Sequence, residues 1–167
     1  GYIIKEYFSH YFLHTSDVTI NMENNNMKIH STTSEPSKVT LVDTGIDTMT
    51  GARLKRIKKY VNGETFMMTY GDGVSNIDIN KLLQEHKRSK KNATITVTQT
   101  AGKFGILDID KQNNVKSFLE KPKGESSWIN TGFFVLEPEI FNFIKDDFTV
   151  WEKKSLEELA RKSQLIV

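Results

Sequence analysis

Apolar residues near the start of the chain recur at helical spacing, which predicts an amphipathic helix over residues 2–13. The residues on its apolar face are Ile3, Ile4, Tyr7, Phe8, Tyr11 and Phe12. We expect this face, with its four aromatic residues, to belong to the core rather than to a surface that stacks bases. Two short alternating stretches follow, at 18–22 and 27–30, on either side of a tip that contains Asn24, Asn25 and Asn26. Because asparagine tolerates left-handed backbone, we expect these stretches to form a β-hairpin.

From residue 39 onward, short apolar runs typical of strands alternate with stretches at helical spacing. The predicted strands cover residues 39–42, 65–70, 93–98, 104–109, 115–119 and 128–136, the last of them interrupted at 130–132. The predicted helices cover residues 52–60, a stretch capped by Asn76 or Asp78, a stretch from Pro138, and a final one with Leu156, Leu159 and Ala160. Because strands that alternate with helices indicate βαβ units, we predict an α/β fold with a Rossmann-like mixed, mainly parallel sheet flanked by helices, plus small hairpin insertions.

Charge and composition argue against several classes of function. The 167 residues carry 23 basic and 21 acidic side chains, and the net charge of +2 gives no global field that would attract nucleic acid or a membrane surface. No apolar run approaches the roughly 20 residues that span a bilayer. The absence of cysteine excludes disulfides and thiolate metal sites and is compatible with the cytoplasm. A hydrophobic content of 37% is sufficient for the core of one domain.

Candidate chemistry lies directly after the strand predicted at 65–70. Asp72 stands between Gly71 and Gly73, where small residues let a ligand approach the backbone and where a carboxylate suits Mg²⁺. A lone Gly-Asp-Gly is more often only a turn. A second charged segment, with Glu120 and Lys121, follows the strand predicted at 115–119. Because ligands of α/β sheets bind beyond the carboxyl ends of strands, the two segments together indicate a site for phosphoryl or nucleotidyl transfer.

Six segments occur in an order that resembles the sugar nucleotidyltransferases, and most closely the glucose-1-phosphate cytidylyltransferases among them. The segments cover residues 42–45, 49–56, 70–74, 104–105, 120–124 and 129–134. Segments 49–56 and 70–74 are closer to the cytidylyl branch than to the rest of the superfamily. The resemblance covers essentially the whole chain, and it implies a fold of the nucleotide-diphospho-sugar transferase type.

The resemblance implies that CTP and α-D-glucose 1-phosphate are joined to give CDP-glucose and pyrophosphate. The product would be a precursor for deoxysugars of bacterial surface polysaccharide, such as lipopolysaccharide O-antigen. The sugar phosphate oxygen would attack the α-phosphorus of CTP in line, with Mg²⁺ as cofactor and no covalent protein intermediate. The resemblance also implies a cytoplasmic protein with no nucleic-acid or membrane partner, and a homo-oligomer in the full-length form.

Roles for individual residues follow from the same resemblance. Asp72 matches a metal-binding, catalytic aspartate, and Lys121 matches a catalytic lysine that contacts the sugar phosphate. Glu120 matches an acid that holds sugar hydroxyls, Gly105 a glycine that lies against the sugar, and Asn130 a polar residue near the sugar. The residues implied for the nucleotide are Thr44, Gly45, Gly51, Arg53 and Gly71, with recognition of the base assigned to Arg53.

The chain departs from the pattern of that family in three respects. Members open with a glycine-rich loop that contains an arginine, followed by a lysine, and these residues embrace the triphosphate. A second metal-binding aspartate is expected beyond Val167, and Ala52 and Thr131 stand where relatives often carry glycine. We therefore expect residues 1–167 to be an internal piece of a longer protein: one incomplete nucleotidyltransferase domain, with little activity on its own. Two alternatives stay open: a related thymidylyl- or uridylyltransferase, and a non-catalytic remnant that binds nucleotide or sugar phosphate.

Overall fold

The computed structural model of the protein describes residues 1–100, 106–119 and 127–167. Contacts within the chain divide it into two compact units, Gly1–Asp43 and Thr44–Val167. The expectation that residues 1–167 form one incomplete nucleotidyltransferase domain stays a prediction. None of the helices in the described residues has the length and apolar content that crossing a membrane requires.

The first unit contains two short helices and one hairpin. Its elements are α1 (Tyr2–Ser9), α2 (Tyr11–His14), β1 (Ser16–Asn21) and β2 (Asn26–Thr32). The helix predicted over 2–13 is therefore two helices, because His10 leaves helical geometry with φ −104° and ψ 2°. Strands β1 and β2 pair antiparallel from Asn21 opposite Asn26, and Asn25 at the tip has a φ of 55°. The predicted hairpin is confirmed, and asparagine supplies the left-handed backbone of its turn.

Two expectations for this unit are wrong in the described structure. The apolar face of the first helix was expected to be buried, but α1 has no buried residue, and Tyr7 is half exposed. Residues 39–42 were expected to form a strand, but they have no regular structure. A strand needs a partner for its backbone N–H and C=O groups, and among the described strands none pairs with 39–42.

The second unit contains one sheet with helices and helical turns around it. Its regular elements are α3 (Thr50–Arg56), β3 (Phe66–Thr69), α4 (Ile79–Ser89), β4 (Ala93–Thr100), β5 (Ile106–Ile109), β6 (Val115–Leu119), β7 (Ser127–Leu136), α5 (Leu156–Arg161) and β8 (Leu165–Ile166). Two 3₁₀ turns, Lys58–Tyr60 and Pro138–Phe143, and one π-helical turn, Trp151–Ser155, complete it. The helix predicted over 52–60 thus begins two residues earlier and ends as a 3₁₀ turn.

Strand β7 organises the six-stranded sheet. The strand order is β6-β5-β7-β4-β8, and β3 also pairs with β7. On one side β7 pairs with β4, and on the other it pairs first with β5 and then, over residues 133–136, with β3. All the pairings of β7 are antiparallel, and β5 pairs antiparallel with β6, whereas β4 and β8 pair in parallel.

The α/β fold with a mixed sheet is confirmed, but its parallel character is weaker than expected. Because β3 and β4 are each antiparallel to β7, they run in the same direction, as the βαβ pattern predicts. The strand between them is β7, which runs the opposite way. Of the pairings between described strands, only that of β4 with β8 is parallel.

The core of the second unit lies between the sheet and the helices. Its fully buried side chains include Ile95 of β4, Phe134 of β7, Trp151 and Leu159. Helix α4 is capped as predicted, since the Asp78 carboxylate accepts a hydrogen bond of 2.9 Å from the backbone N–H of Lys81.

Helix α4 also carries the buried His86. The Nδ1 atom of this histidine lies 2.8 Å from the Thr94 hydroxyl, and its Nε2 atom lies 2.9 Å from the Glu137 carboxylate. With both ring nitrogens engaged, His86 ties α4 to β4 and to the end of β7. These two contacts give His86 a role in the packing of the second unit.

Candidate functional site

The turn that follows β3 carries the carboxylate that the sequence singles out. The backbone N–H of Gly73 donates to the carbonyl of Tyr70 at 3.3 Å and closes a tight turn with Gly71 and Asp72 at its corners. Asp72 is exposed, and in the described part of the chain no side chain hydrogen-bonds its carboxylate. A Cβ built on Gly71 meets no described atom within 4 Å, so packing within the described chain does not require glycine there. A ligand that approaches the backbone closely would require it.

The loop before α3 forms a second wall of the site, and two arginines hold it. The Arg53 guanidinium donates to the Thr44 hydroxyl at 2.9 Å and to the Ile46 carbonyl at 3.0 Å. Arg56 donates to the Thr44 carbonyl at 2.7 Å and pairs with the Asp147 carboxylate at 2.6 Å. Arg53 has five N–H donors, and these contacts use two of them. Arg53 therefore shapes the loop and keeps donors that a bound anion or carbonyl could use.

The segment after residue 148 closes the third wall. The Thr50 hydroxyl donates to the Glu152 carboxylate at 2.8 Å and accepts the backbone N–H of Trp151 at 3.0 Å. Trp151 is 1% exposed, and its indole N–H has no hydrogen-bond partner among the described residues. The chain makes one π-helical turn at this point, a feature that often occurs at functional sites.

These three walls enclose a cleft of about 470 Å³ within the second unit. The residues that line it are Thr44, Thr50, Arg53, Leu54, Ile57, Met68, Thr69, Tyr70, Gly71, Asp72, Trp151 and Glu152. The cleft has the size of a small-molecule site and combines apolar walls with a few polar groups. It lies at the carboxyl end of β3, which is where ligands of α/β sheets bind.

The structure brings four of the predicted site residues to this cleft: Thr44, Arg53, Gly71 and Asp72. Three others lie close to its walls without lining it. They are Gly45, next to the Arg56 guanidinium; Gly51, which packs against the backbone of Thr149; and Asn130, which hydrogen-bonds Tyr70. Gly105, Glu120 and Lys121, predicted for the sugar side, lie outside the described residues.

Sequence reasoning missed the part of the cleft that comes from residues 150–152. Trp151 and Glu152 lie about 80 residues after Asp72 in the chain, and nothing in their local pattern connects them with the turn after β3. Thr50 lies inside a segment that the resemblance singled out, so that segment could have drawn attention to it. Tyr70 directly precedes the Gly-Asp-Gly turn and lies inside segment 70–74, which the resemblance also singled out, but it was not assigned a role.

The chemistry of the cleft fits a magnesium ion held partly by a ligand. Residues 1–100, 106–119 and 127–167 contain no group of three His, Cys, Asp or Glu side chains arranged to hold a metal. Mg²⁺ is usually bound through one or two carboxylates together with substrate phosphates, rather than by a cage of protein ligands. The exposed carboxylate of Asp72, at the edge of a cleft that also contains Arg53 and Glu152, suits that mode.

Residues 5–164 match the family described as nucleotidyl transferase. The chain belongs to the nucleotidyl transferase family. It is 51% identical over 99% of its length to the glucose-1-phosphate cytidylyltransferase of Salmonella typhimurium, and 51% identical over 99% to that of Salmonella typhi. The chain spans 65% of the length of each of these relatives.

A solved structure supports the assignment of the fold. The crystal structure of apo-UDP-glucose pyrophosphorylase superimposes with a TM-score of 0.63 over 75% of this chain and 53% of that protein, at 15% identity. At that identity the likeness concerns the fold alone. The expected nucleotide-diphospho-sugar transferase type of fold is confirmed.

Proposed function

We propose that the protein joins CTP and α-D-glucose 1-phosphate into CDP-glucose, with release of pyrophosphate. The observation that supports this most strongly is the 51% identity, over 99% of the chain, to a glucose-1-phosphate cytidylyltransferase. The cleft agrees with a nucleotidyl-transfer site, since it combines an accessible carboxylate, guanidinium donors and an approachable backbone at the end of β3.

In the proposed reaction the chain contributes positioning and charge rather than covalent chemistry. Asp72 would hold Mg²⁺ against the phosphates of CTP, and the ion would neutralise negative charge as the α-phosphorus is attacked. The free N–H groups of Arg53 suit the carbonyl of cytosine, and the Thr44 hydroxyl holds this arginine at 2.9 Å. Gly71 lets the nucleotide approach the backbone beside Asp72.

The sugar phosphate side rests on the sequence resemblance. Lys121 is proposed to contact the phosphate of glucose 1-phosphate, Glu120 to accept hydrogen bonds from sugar hydroxyls, and Gly105 to lie against the sugar ring. A CDP-sugar made in this way would feed the synthesis of surface polysaccharide in a bacterial cytoplasm. A homo-oligomeric state of the full-length protein belongs to the same proposal.

The test uses the protein expressed from its complete reading frame, with pyrophosphate release as the readout. Glucose 1-phosphate and Mg²⁺ are supplied with CTP, UTP or dTTP in parallel. We expect turnover with CTP to be at least about tenfold faster than with the other nucleotides. A factor of this size corresponds to the loss of one hydrogen bond to a charged group when the base does not fit. A preference for UTP or dTTP would show that the assignment of cytosine as the base is wrong. Micromolar binding of CTP without turnover would favour the non-catalytic binding module.

The metal role is tested by Asp72→Asn with Asp108→Asn as the matched control. The amide is a much weaker ligand for a hard cation, so Asp72→Asn should abolish Mg²⁺-dependent turnover. Asp108 is an exposed residue of β5 that does not line the cleft, and its variant should keep full activity. Near-normal turnover of Asp72→Asn would remove this residue from the metal role.

A further inference from the structure

Tyr70 is held on several sides immediately before the turn that carries Asp72. Its backbone N–H donates to the Gly132 carbonyl at 3.2 Å, and its hydroxyl accepts a hydrogen bond of 3.2 Å from the Asn130 amide. Its ring stands edge-on to Phe134, with 5.8 Å between the ring centroids. Tyr70 is therefore fixed to β7 through both its backbone and its side chain.

The β7 segment beneath Tyr70 is a bulge. Ile95 of β4 pairs with Phe134 and Val97 pairs with Asn130, so residues 131–133 of β7 face the single residue Thr96. The Thr96 hydroxyl donates to the backbone carbonyl of Phe133, and the Thr131 hydroxyl donates to the backbone carbonyl of Thr96. The two side chains therefore link the bulge of β7 to β4. Bulges next to active sites commonly re-aim a side chain.

Gly132 lets the ring of Tyr70 lie directly on the bulge. Its φ of +84° is left-handed, and an added Cβ would lie 2.5 Å from Cδ2 of Tyr70. The Asn130 side chain maintains this conformation, because its Oδ1 atom accepts the backbone N–H of Gly132 at 2.7 Å. Both ends of the Asn130 amide are thus engaged within the chain: Oδ1 with Gly132 and Nδ2 with Tyr70.

The Asp72 carboxylate depends on this arrangement for its position. Asp72 lies two residues after Tyr70, on an exposed turn closed by one backbone hydrogen bond that returns to Tyr70 itself. Asp72 has no side-chain partner in the described residues, so the position of the turn is set by Tyr70. Misplacing a metal-binding group by about 1 Å is enough to weaken a site strongly.

We propose that Asn130, Gly132 and Tyr70 form a positioning unit for the Asp72 turn, and that Asn130 acts through the Tyr70 hydroxyl rather than on the sugar. The inference rests on the proposed metal role of Asp72. It assigns Asn130 to the metal and nucleotide side, whereas the sequence resemblance put this residue near the sugar.

The test compares Tyr70→Phe, Asn130→Ala and the double variant in the protein from the complete reading frame. Tyr70→Phe keeps the ring contacts with Gly132 and Phe134 and removes the hydroxyl that accepts the Asn130 amide. Binding of Mn²⁺ in the presence of CTP is followed by electron paramagnetic resonance. The Mg²⁺ concentration for half-maximal turnover and the KM for glucose 1-phosphate are measured alongside.

Each single variant should raise the Mn²⁺ dissociation constant and the Mg²⁺ half-saturation point about fivefold, as expected for one hydrogen bond. The KM for glucose 1-phosphate should stay within about twofold. The double variant should be no more than about twofold weaker than Asn130→Ala alone, because both changes break the same contact. A merely structural role would lower the fraction of active protein without moving either metal readout. Tyr60→Phe, on an exposed tyrosine outside the cleft, is the matched control and should change nothing.

Two results would overturn the inference. One is a raised KM for glucose 1-phosphate in Asn130→Ala with unchanged Mn²⁺ binding, which would return Asn130 to the sugar. The other is a double variant whose loss equals the product of the single losses, which would mean that Asn130 does not act through Tyr70.

The proposed reaction is tested separately by the same measurements. Mn²⁺ binding that depends on Asp72, Tyr70 and Asn130 in a protein without CTP turnover would support the positioning unit and refute the reaction. CTP turnover that Asp72→Asn abolishes but Tyr70→Phe and Asn130→Ala leave unchanged would support the reaction and refute the positioning unit.

Discussion

Two glycines of the candidate site, Gly51 and Gly71, should respond to the same substitution in opposite ways. A Cβ on Gly51 would lie 2.8 Å from the carbonyl oxygen of Thr149, 3.2 Å from its Cγ2 atom and 3.3 Å from the backbone nitrogen of Trp151. Most of these atoms are backbone, which cannot move aside as the end of a side chain can. The Gly51 N–H also donates to the Thr149 carbonyl at 3.0 Å, so any shift strains that bond.

The expected cost of Gly51→Ala follows from two opposing effects. Overpacking of a close contact costs about 1–3 kcal/mol, and the better helix propensity of alanine returns up to about 1 kcal/mol within α3. The net loss should be about 1–2 kcal/mol of the free energy of unfolding. For a protein of this size, that loss corresponds to a fall in Tm of roughly 2–8 °C.

Gly71→Ala should change the free energy of unfolding by less than about 1 kcal/mol, and any change should be stabilising. Its Cβ meets no described atom within 4 Å, and alanine restricts the unfolded chain more than glycine does. If the nucleotide approaches the backbone at this turn, the methyl group should weaken CTP binding by about tenfold or more, comparable with losing one hydrogen bond to a charged phosphate.

Thermal unfolding followed by circular dichroism and isothermal titration with CTP and Mg²⁺ separate the two effects. We expect Gly51→Ala to lower Tm, and Gly71→Ala to keep Tm and lose CTP affinity. An unchanged Tm in Gly51→Ala would show that the contact of α3 with Thr149 is looser than the distances indicate. Unchanged CTP affinity in Gly71→Ala would refute a close approach of the nucleotide at this turn.

Two further predictions concern regions outside the cleft. Asp78→Ala removes the acceptor of the Lys81 N–H at the start of α4 and should cost about 1 kcal/mol in denaturant unfolding, whereas an unchanged midpoint would mean that water replaces the cap. Asp110 accepts N–H groups in the turn after β5, and the backbone hydrogen bond from Asn114, followed by its side-chain amide and the backbone N–H of Gln112, holds the Asp110 pKa below its usual value. Because the pKa is lowered in the folded state, this stabilisation is present above the usual pKa and is lost as the pH falls through the folded one. An NMR titration of the carboxyl should show the low pKa, and the stability difference between the wild type and Asp110→Asn should disappear in strong acid; a normal pKa would contradict the argument.

Local signals were sufficient for elements whose stabilising contacts are close in sequence. The asparagine-rich tip predicts the β1–β2 hairpin because the turn residues and the strands they join are adjacent. Asp78 predicts the start of α4 because the group it caps, the Lys81 N–H, is three residues away. In both cases the sequence pattern and the stabilising contact cover the same short window.

The arrangement of β7 could not be predicted in the same way. Its apolar run indicates a strand, but alternation of side chains does not specify the partner or the direction of pairing. The apparent interruption at 130–132 is in fact a bulge in one continuous strand, since Ser127–Leu136 pairs with β4 on both sides of it. The bulge requires Thr96 opposite it, and Thr96 lies more than thirty positions earlier in the chain. The role of Gly132 in the bulge is therefore visible only in the folded structure.

The two arginines of α3 show why a residue that suits a ligand cannot be assigned to that ligand from sequence alone. Arg53 was predicted to recognise the base, yet the structure gives it two contacts within the loop that it was expected to serve. Arg56, one helical turn later, holds the carbonyl of Thr44, and Gly45 beside it takes a φ of +83° with room for no side chain. The loop is therefore shaped before any ligand arrives, and a nucleotide would not have to order it on binding. Building the loop and recognising the base are compatible tasks for Arg53, because a guanidinium has enough donors for both.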